Sequence, residues 1–116
     1  MEIAITTPVK KTESIDKVRK AVLNIFPDAE LELKGNVVLG VARNIGKFRE
    51  LLAAQKIRAT VRALLLKSKK GSTLRFMLNK QAAYVGKINF VEEGEKHPLG
   101  DIEVTIETEN INTVIS

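Results

Sequence analysis

The 116-residue chain predicts an α+β fold: one compact domain in which a mostly antiparallel sheet carries helices packed on it. Two observations lead there. Short runs of alternating apolar and polar residues, bounded by Gly, Pro and Asn, recur along the chain and in two places lie close enough to pair as hairpins. Between them run longer stretches whose apolar residues return every three or four positions, the period of a helix with one buried face. A chain of this length suits a single domain, residues 1–116, which buries about two-thirds of its unfolded surface without disulfide or metal.

Each element follows from local pattern. Ile3, Ile5, Thr7 and Val9 alternate with Ala4, Thr6 and Pro8 in a first strand that Pro8 cuts short. Thr12 is the expected N-cap of a helix whose first turn carries Glu13 and Asp16 at the positive end of the dipole. Ile15, Val18, Val22, Ile25 and Phe26 form its buried stripe, and Pro27 ends it by forcing Phe26 out of the helical region. Leu31 and Leu33 alternate with Glu30 and Glu32, and the Lys34-Gly35-Asn36 turn leads into a β-branched strand from Val37 to Ala42. Ile45, Phe48, Leu51 and Leu52 make one helical stripe; Ile57, Val61, Leu64 and Leu65 make a second. Continuing the first would need apolar residues at 55 and 62, where Gln55 and Arg62 stand, so the spacing predicts two helices broken near Gln55-Lys56.

Lys67, Lys69 and Lys70 suit the negative end of the second helix, and Gly71 is its expected left-handed cap. Leu74, Phe76 and Leu78 then alternate with Thr73, Arg75 and Met77 in a strand, and Ile88 and Phe90 alternate with Lys87 and Asn89 in another. Asn79 to Gly86, between them, is long enough for a helical turn. A last hairpin is expected from Glu92 through Pro98 into a strand at Ile102, Val104 and Ile106.

Several chemistries find no residues here. The chain has no cysteine, hence no thiolate nucleophile, Cys-type zinc site or disulfide framework. Its single histidine, His97, sits beside Pro98 in an acidic loop and reads as solvated, so no metal site follows from ligand spacing. Gly40, Gly46 and Lys47 fail as a phosphate loop, because the glycine spacing is wrong and Phe48 stands where Ser or Thr is required. Glu92, Glu93 and Glu95 cluster in a turn without the apolar setting that raises a catalytic carboxyl's pKa. No cofactor, metal or enzymatic activity is expected. The longest charge-free run near the middle, Gly35 to Ala42, is too short to span a bilayer, and the amino terminus lacks a signal-peptide pattern. The expectation is a soluble cytoplasmic protein with no membrane partner.

Charge is distributed unevenly. Residues 1–42 hold six Lys/Arg and six Asp/Glu; residues 43–87 hold twelve Lys/Arg against Glu50 alone; residues 88–116 hold Lys96 against seven acids. A one-sided block of this size is what a polyanion-binding surface needs. It also describes a solvated face balanced by the acidic C-terminal region.

Read together, Asn24-Ile-Phe-Pro-Asp-Ala-Glu30, Leu51 to Leu65, Phe76 to Phe90 and His97 to Glu107 resemble the archaeal uncharacterised protein family 0201, also called domain of unknown function 54. The most specific part is Leu78-Asn-Lys-Gln-Ala-Ala83 followed by Val85-Gly-Lys87, with Pro98-Leu-Gly100 behind it. The resemblance implies an archaeal source and a fold similar to that of the fifth large-subunit ribosomal protein. RNA binding in that family is an inference from fold similarity. The chain departs from the family pattern at Ala59, where relatives carry an acid, and at Gly46, where a stronger helix former is usual.

RNA is thus the expected partner. Of the five aromatics, Phe26, Phe48, Phe76 and Phe90 fall on core stripes, leaving Tyr84 as the one available stacking platform. Single-strand readers need several. Recognition of duplex or folded RNA through phosphates asks only for placed cations and amides. The candidates are Arg58, Arg62, Lys67, Lys69, Lys70, Arg75, Lys80, Gln81 and Lys87. Two alternatives stand beside this reading. Asn79 to Gly86 is also what a tightly packed strand-to-strand corner looks like, and the charge asymmetry equally suits a homodimer or another protein–protein assembly.

Overall fold

In the computed structural model, which describes residues 1–92, 94–95 and 97–115, five strands form one antiparallel sheet. They are β1 (Ile3–Pro8), β2 (Glu30–Lys34), β3 (Val37–Ala42), β4 (Thr73–Asn79) and β5 (Asp101–Glu107), in the order β2-β3-β1-β5-β4. The helices are α1 (Ile15–Ile25), α2 (Gly46–Ala54), α3 (Arg58–Ser68), α4 (Lys80–Tyr84) and α5 (Asn112–Ile115). None of them is long and apolar enough to cross a membrane.

Register explains why the sheet has one covered face. Ile3 lies opposite both Ala42 and Ile106, Ile5 opposite Gly40 and Val104, and Phe76 opposite Val104. Side chains alternate along a strand, so these residues share a side. The helices bury that side. Phe26 stacks on Phe48 at 5.9 Å between centroids, Phe48 on Phe76 at 5.6 Å, and Phe90 closes the cluster 5.3 Å from Phe76. Such aromatic pairs add to the stabilisation from their buried area. The other side carries Thr6, Val41, Arg75 and Glu103, of which Thr6, Val41 and Arg75 are exposed.

The predicted break between α2 and α3 is present, and its cause is specific. Lys56 donates its backbone N–H to Ala53 at 3.1 Å and Ile57 donates to Leu52 at 3.1 Å, the paired bonds that close a helix through a left-handed residue. That residue is Lys56, with φ of 58°, although glycine is the usual occupant. The α4 terminus repeats the arrangement with Gly86 at φ 78°: Gly86 donates to Ala83 and Lys87 to Ala82.

Four expectations need correction. The N-cap of α1 is Ser14, not Thr12, so Glu13 falls just outside the helix. Gly71 does not cap α3; Lys69 does so in an extended conformation, and Gly71 instead makes the turn that bonds Lys70 to Thr73. Leu64 is exposed, leaving Val61 and Leu65 to anchor α3.

Finally, Ile88 to Phe90 forms a single bridge to Leu78, not a strand. The main chain of Ile88 is already held by the Gln55 amide, which donates to its carbonyl at 2.8 Å and accepts from its N–H at 2.7 Å. The segment lies along the outer edge of β4, so the chain must cross to the inner edge to reach β5, and no hairpin links them. Glu93 and Lys96 of that connection lie outside the described residues.

An L-residue in the left-handed region costs about 1–2 kcal/mol relative to a helical one, partly offset by glycine's larger unfolded-state entropy. Lys56→Gly should therefore raise the denaturation free energy by about 0.5–1 kcal/mol, read from urea midpoints at constant m-value. A lower midpoint would mean that the Lys56 side chain contributes more than its backbone strain costs.

Candidate nucleic-acid interface

The cations of the basic block divide by what they touch. Of the twelve Lys/Arg between residues 43 and 87, only Lys47, Arg75 and Lys80 have a carboxylate within 4.0 Å among the described residues. Lys47 meets Glu50 at 3.8 Å across an exposed helix face, a weak pairing.

Lys80 is the exception to every expectation about a surface lysine. Its residue is 4 % exposed. The ammonium donates to Glu13 Oε1 at 2.9 Å, to the Pro8 carbonyl at 2.6 Å and to the Leu99 carbonyl at 2.6 Å. Those are all the donors it has. Lys80 is thus removed from the predicted phosphate-contacting set, because a buried ammonium must be fully paired and this one is.

The rest of the Leu78–Lys87 motif serves the same corner. Asn79 accepts from the Ala82 N–H at 2.8 Å to cap α4, Ala83 is buried, and Gly86 supplies the left-handed turn. Gly100, at φ 77°, brings its backbone so close to Pro8 that a Cβ would lie 2.5 Å from the proline ring.

Arg75 also leaves the cluster in which it was expected. It alternates with Leu74 and Phe76, so it stands on the uncovered side of the sheet, away from the α3 lysines. Its Nε donates to Glu103 Oε1 at 2.9 Å. That hydrogen bond, and then the Coulomb attraction of the same carboxylate, raise its pKa further.

The remaining candidates are accessible in different places. Arg58 opens α3 and is exposed; Arg62, one turn on, is half-buried and donates to the Asn112 side chain. Lys67 is exposed and nine residues from Arg58, which places it about half a turn round the helix. Lys70 is exposed, while Lys69 is half-buried with its ammonium on the Gly71 carbonyl at 2.6 Å. Gln81, within α4, and Lys87, three residues after its end, are both exposed. Contrary to expectation, His97 is half-buried between Asp101 at 2.9 Å and Glu95 at 3.3 Å. Among the described residues no group of three His, Asp or Glu is arranged to hold a metal.

Two cations outside the block join it in space. Lys17 and Lys20 project from α1 over Tyr84, with Nζ 6.0 Å and 4.9 Å from the ring centroid. Neither has a carboxylate partner among the described residues. Their three-residue spacing puts them on one helix face, a signal present in the sequence but masked by the neutral balance of residues 1–42. Tyr84 and Val85 form a ridge between two hollows. One of about 510 Å³ includes Ser14, Lys17 and Gln81; one of about 430 Å³ includes Lys20, Asn24, Lys47 and Leu51.

Removing one member of a buried ion pair strands the other and costs about 3–5 kcal/mol. Lys80→Met should destabilise by about that amount. Adding Glu13→Leu should recover at least about 1 kcal/mol by removing the stranded carboxylate, while the bare Pro8 and Leu99 carbonyls keep the double variant below wild type. Equal stability of the single and double variants, measured by denaturant unfolding, would show that the Glu13 charge is not held by Lys80.

Comparison with known proteins adds the following. A family model described as RNA binding matches residues 2–108. A protein of uncharacterised families 0200/0201 from Archaeoglobus fulgidus is 46% identical over 112 residues, covering 96% of this chain but 34% of its own length. A family 0201 protein from Methanothermobacter thermautotrophicus is 36% identical, covering 98% of this chain and 87% of its own. The crystal structure of an uncharacterised family 0201 protein superposes with a TM-score of 0.86 at 45% identity, covering 96% of this chain and 85% of that one.

Proposed function

Since the chain belongs to uncharacterised protein family 0201, we propose that it is a cytoplasmic, non-enzymatic protein binding duplex or folded RNA through phosphate contacts. The observation that carries this is the unpaired state of most of the basic block. Arg58, Arg62, Lys67, Lys69, Lys70 and Lys87 have no carboxylate partner among the described residues, and Gln81 adds a neutral donor. Cations left unneutralised keep their field in solution and release phosphate counterions on binding. The proposal also takes the sheet-and-helix layout to be that of the fifth large-subunit ribosomal protein.

The same charges favour RNA over assembly with a second copy. Among the described residues, Arg75–Glu103 is the single ion pair between the basic block and the acidic C-terminal region. Three more acids of that region are used locally: Glu107 accepts from Ser72 and Thr73, and Asp101 and Glu95 hold His97.

Fluorescence anisotropy with duplex RNA across a salt series tests the reading. Four to six phosphate contacts give a log–log slope of about −3.6 to −5.4. The triple variant Lys67→Glu, Lys69→Glu, Lys70→Glu should flatten that slope by about 3 and weaken binding at least about tenfold. Absence of binding at low salt would overturn the reading; wild-type affinity in a folded triple variant would reduce the α3 lysines to partners of the helix dipole.

A further inference from the structure

Tyr84 is the one aromatic side chain outside the Phe26, Phe48, Phe76 and Phe90 ring cluster, and it packs against the rim of the core. It sits half-buried at the end of α4, and both hollows open against it. Its position is set by Asn24 of α1, whose amide donates to the carbonyls of Ala83 and Tyr84, each at 2.9 Å. Both amide hydrogens are thereby used, and the Asn24 Oδ1 remains an acceptor without a partner among the described residues.

The hollow beyond the ring therefore presents a specific set of groups. Tyr84 supplies an aromatic surface and Leu51 an apolar wall; Lys20 and Lys47 supply ammonium groups, and Asn24 supplies the acceptor. At about 430 Å³ the hollow is shallow and open to solvent, as a platform for one stacked base requires. The Lys20 ammonium, 4.9 Å from the ring centroid, is held by the ring and not by a carboxylate, so a phosphate can draw it away at little electrostatic cost. An aromatic face, a solvent-facing acceptor, the Lys20 ammonium without a carboxylate partner among the described residues and the Lys47 ammonium only weakly paired with Glu50 are the groups that an extruded base and its flanking phosphates use.

We propose that this hollow is a subsite for a single unpaired nucleotide, its base stacked on Tyr84 and its flanking phosphates held by Lys20 and Lys47 on one side and Lys17 on the other. The proposal rests on the RNA reading above and narrows it to duplexes that carry a bulged or terminal unpaired nucleotide. The scarcity of aromatics, which argues against a reader of long single strands, does not count against it. One nucleotide needs one platform.

The chain has one tyrosine and no tryptophan, so its intrinsic ultraviolet emission reports on Tyr84 alone. Two RNA duplexes of equal length, one blunt and one with a single unpaired nucleotide, are titrated while anisotropy of a labelled strand and absorbance-corrected tyrosine emission are recorded. The bulged duplex should bind about tenfold more tightly than the blunt one and should quench the emission, as base stacking on an aromatic ring does. Tyr84→Ala should abolish the preference of bulged over blunt duplex, and Tyr84→Phe should retain it. Binding of both duplexes with equal affinity and unchanged emission would overturn the subsite and leave the RNA reading standing. No anisotropy change with either duplex at low salt would overturn the RNA reading, and the subsite with it.

Discussion

A lysine ammonium buried under the sheet's edge organises the corner on which the rest of the molecule depends. Placing a full charge out of water costs several kcal/mol unless every donor is satisfied, and Lys80 meets that condition with three acceptors from three separate segments. Pro8 ends β1, Glu13 precedes α1, and Leu99 belongs to the connection into β5. Because the ammonium has three hydrogens in a fixed geometry, these segments cannot drift independently. Glu13 is further anchored by the Lys10 N–H at 2.9 Å, which holds the turn between β1 and α1.

Consequences spread outward from this point. With Glu13 facing Lys80, the N-cap falls two residues after Thr12, at Ser14, and α1 begins at Ile15. With Lys80 held as the first residue of α4, Ala83 is directed into the core and Tyr84 is brought against α1, where Asn24 binds the final carbonyls. The close approach of Gly100 to Pro8 completes the same junction, and only a residue without a Cβ fits there at positive φ. The sequence run most specific to the family is therefore chiefly architectural. It builds the corner, and the corner sets the position of Tyr84 and of the cations beside it.

Charge follows a similar division of labour. Acids close in space to a cation are used to fix structure: Glu13 on Lys80, and Glu103 on Arg75 across two strands. Asp28 accepts two backbone N–H groups, from Arg43 and Asn44, and the Arg43 side chain has no carboxylate partner among the described residues. The cations on α3, on α1 and after α4 are left without such partners among the described residues, so the positive potential lies on the helices and their ends.

Periodicity carried the five strands and three longer helices, because alternation and three-to-four spacing are local properties of a half-buried segment. Pro8, Pro27 and the Gly35 turn were legible for the same reason, since backbone restriction acts within two residues. The break at Lys56 was visible as a phase shift in the apolar stripe, although nothing local marks that lysine as left-handed. Ile88 to Phe90 misled because its pattern describes which way side chains point, whereas strand pairing is decided by a distant competitor, the Gln55 amide. Lys80 misled more deeply. Charge in a sequence reads as surface, and only three acceptors converging from positions 8, 13 and 99 could bury it. The sequence by itself determined fold class, the core aromatics and the basic excess, all of which follow from composition and short-range spacing. Tertiary structure alone decided which cations remain free and that Lys17, Lys20 and Tyr84 meet, because ion pairing and proximity depend on contacts between residues far apart in the chain.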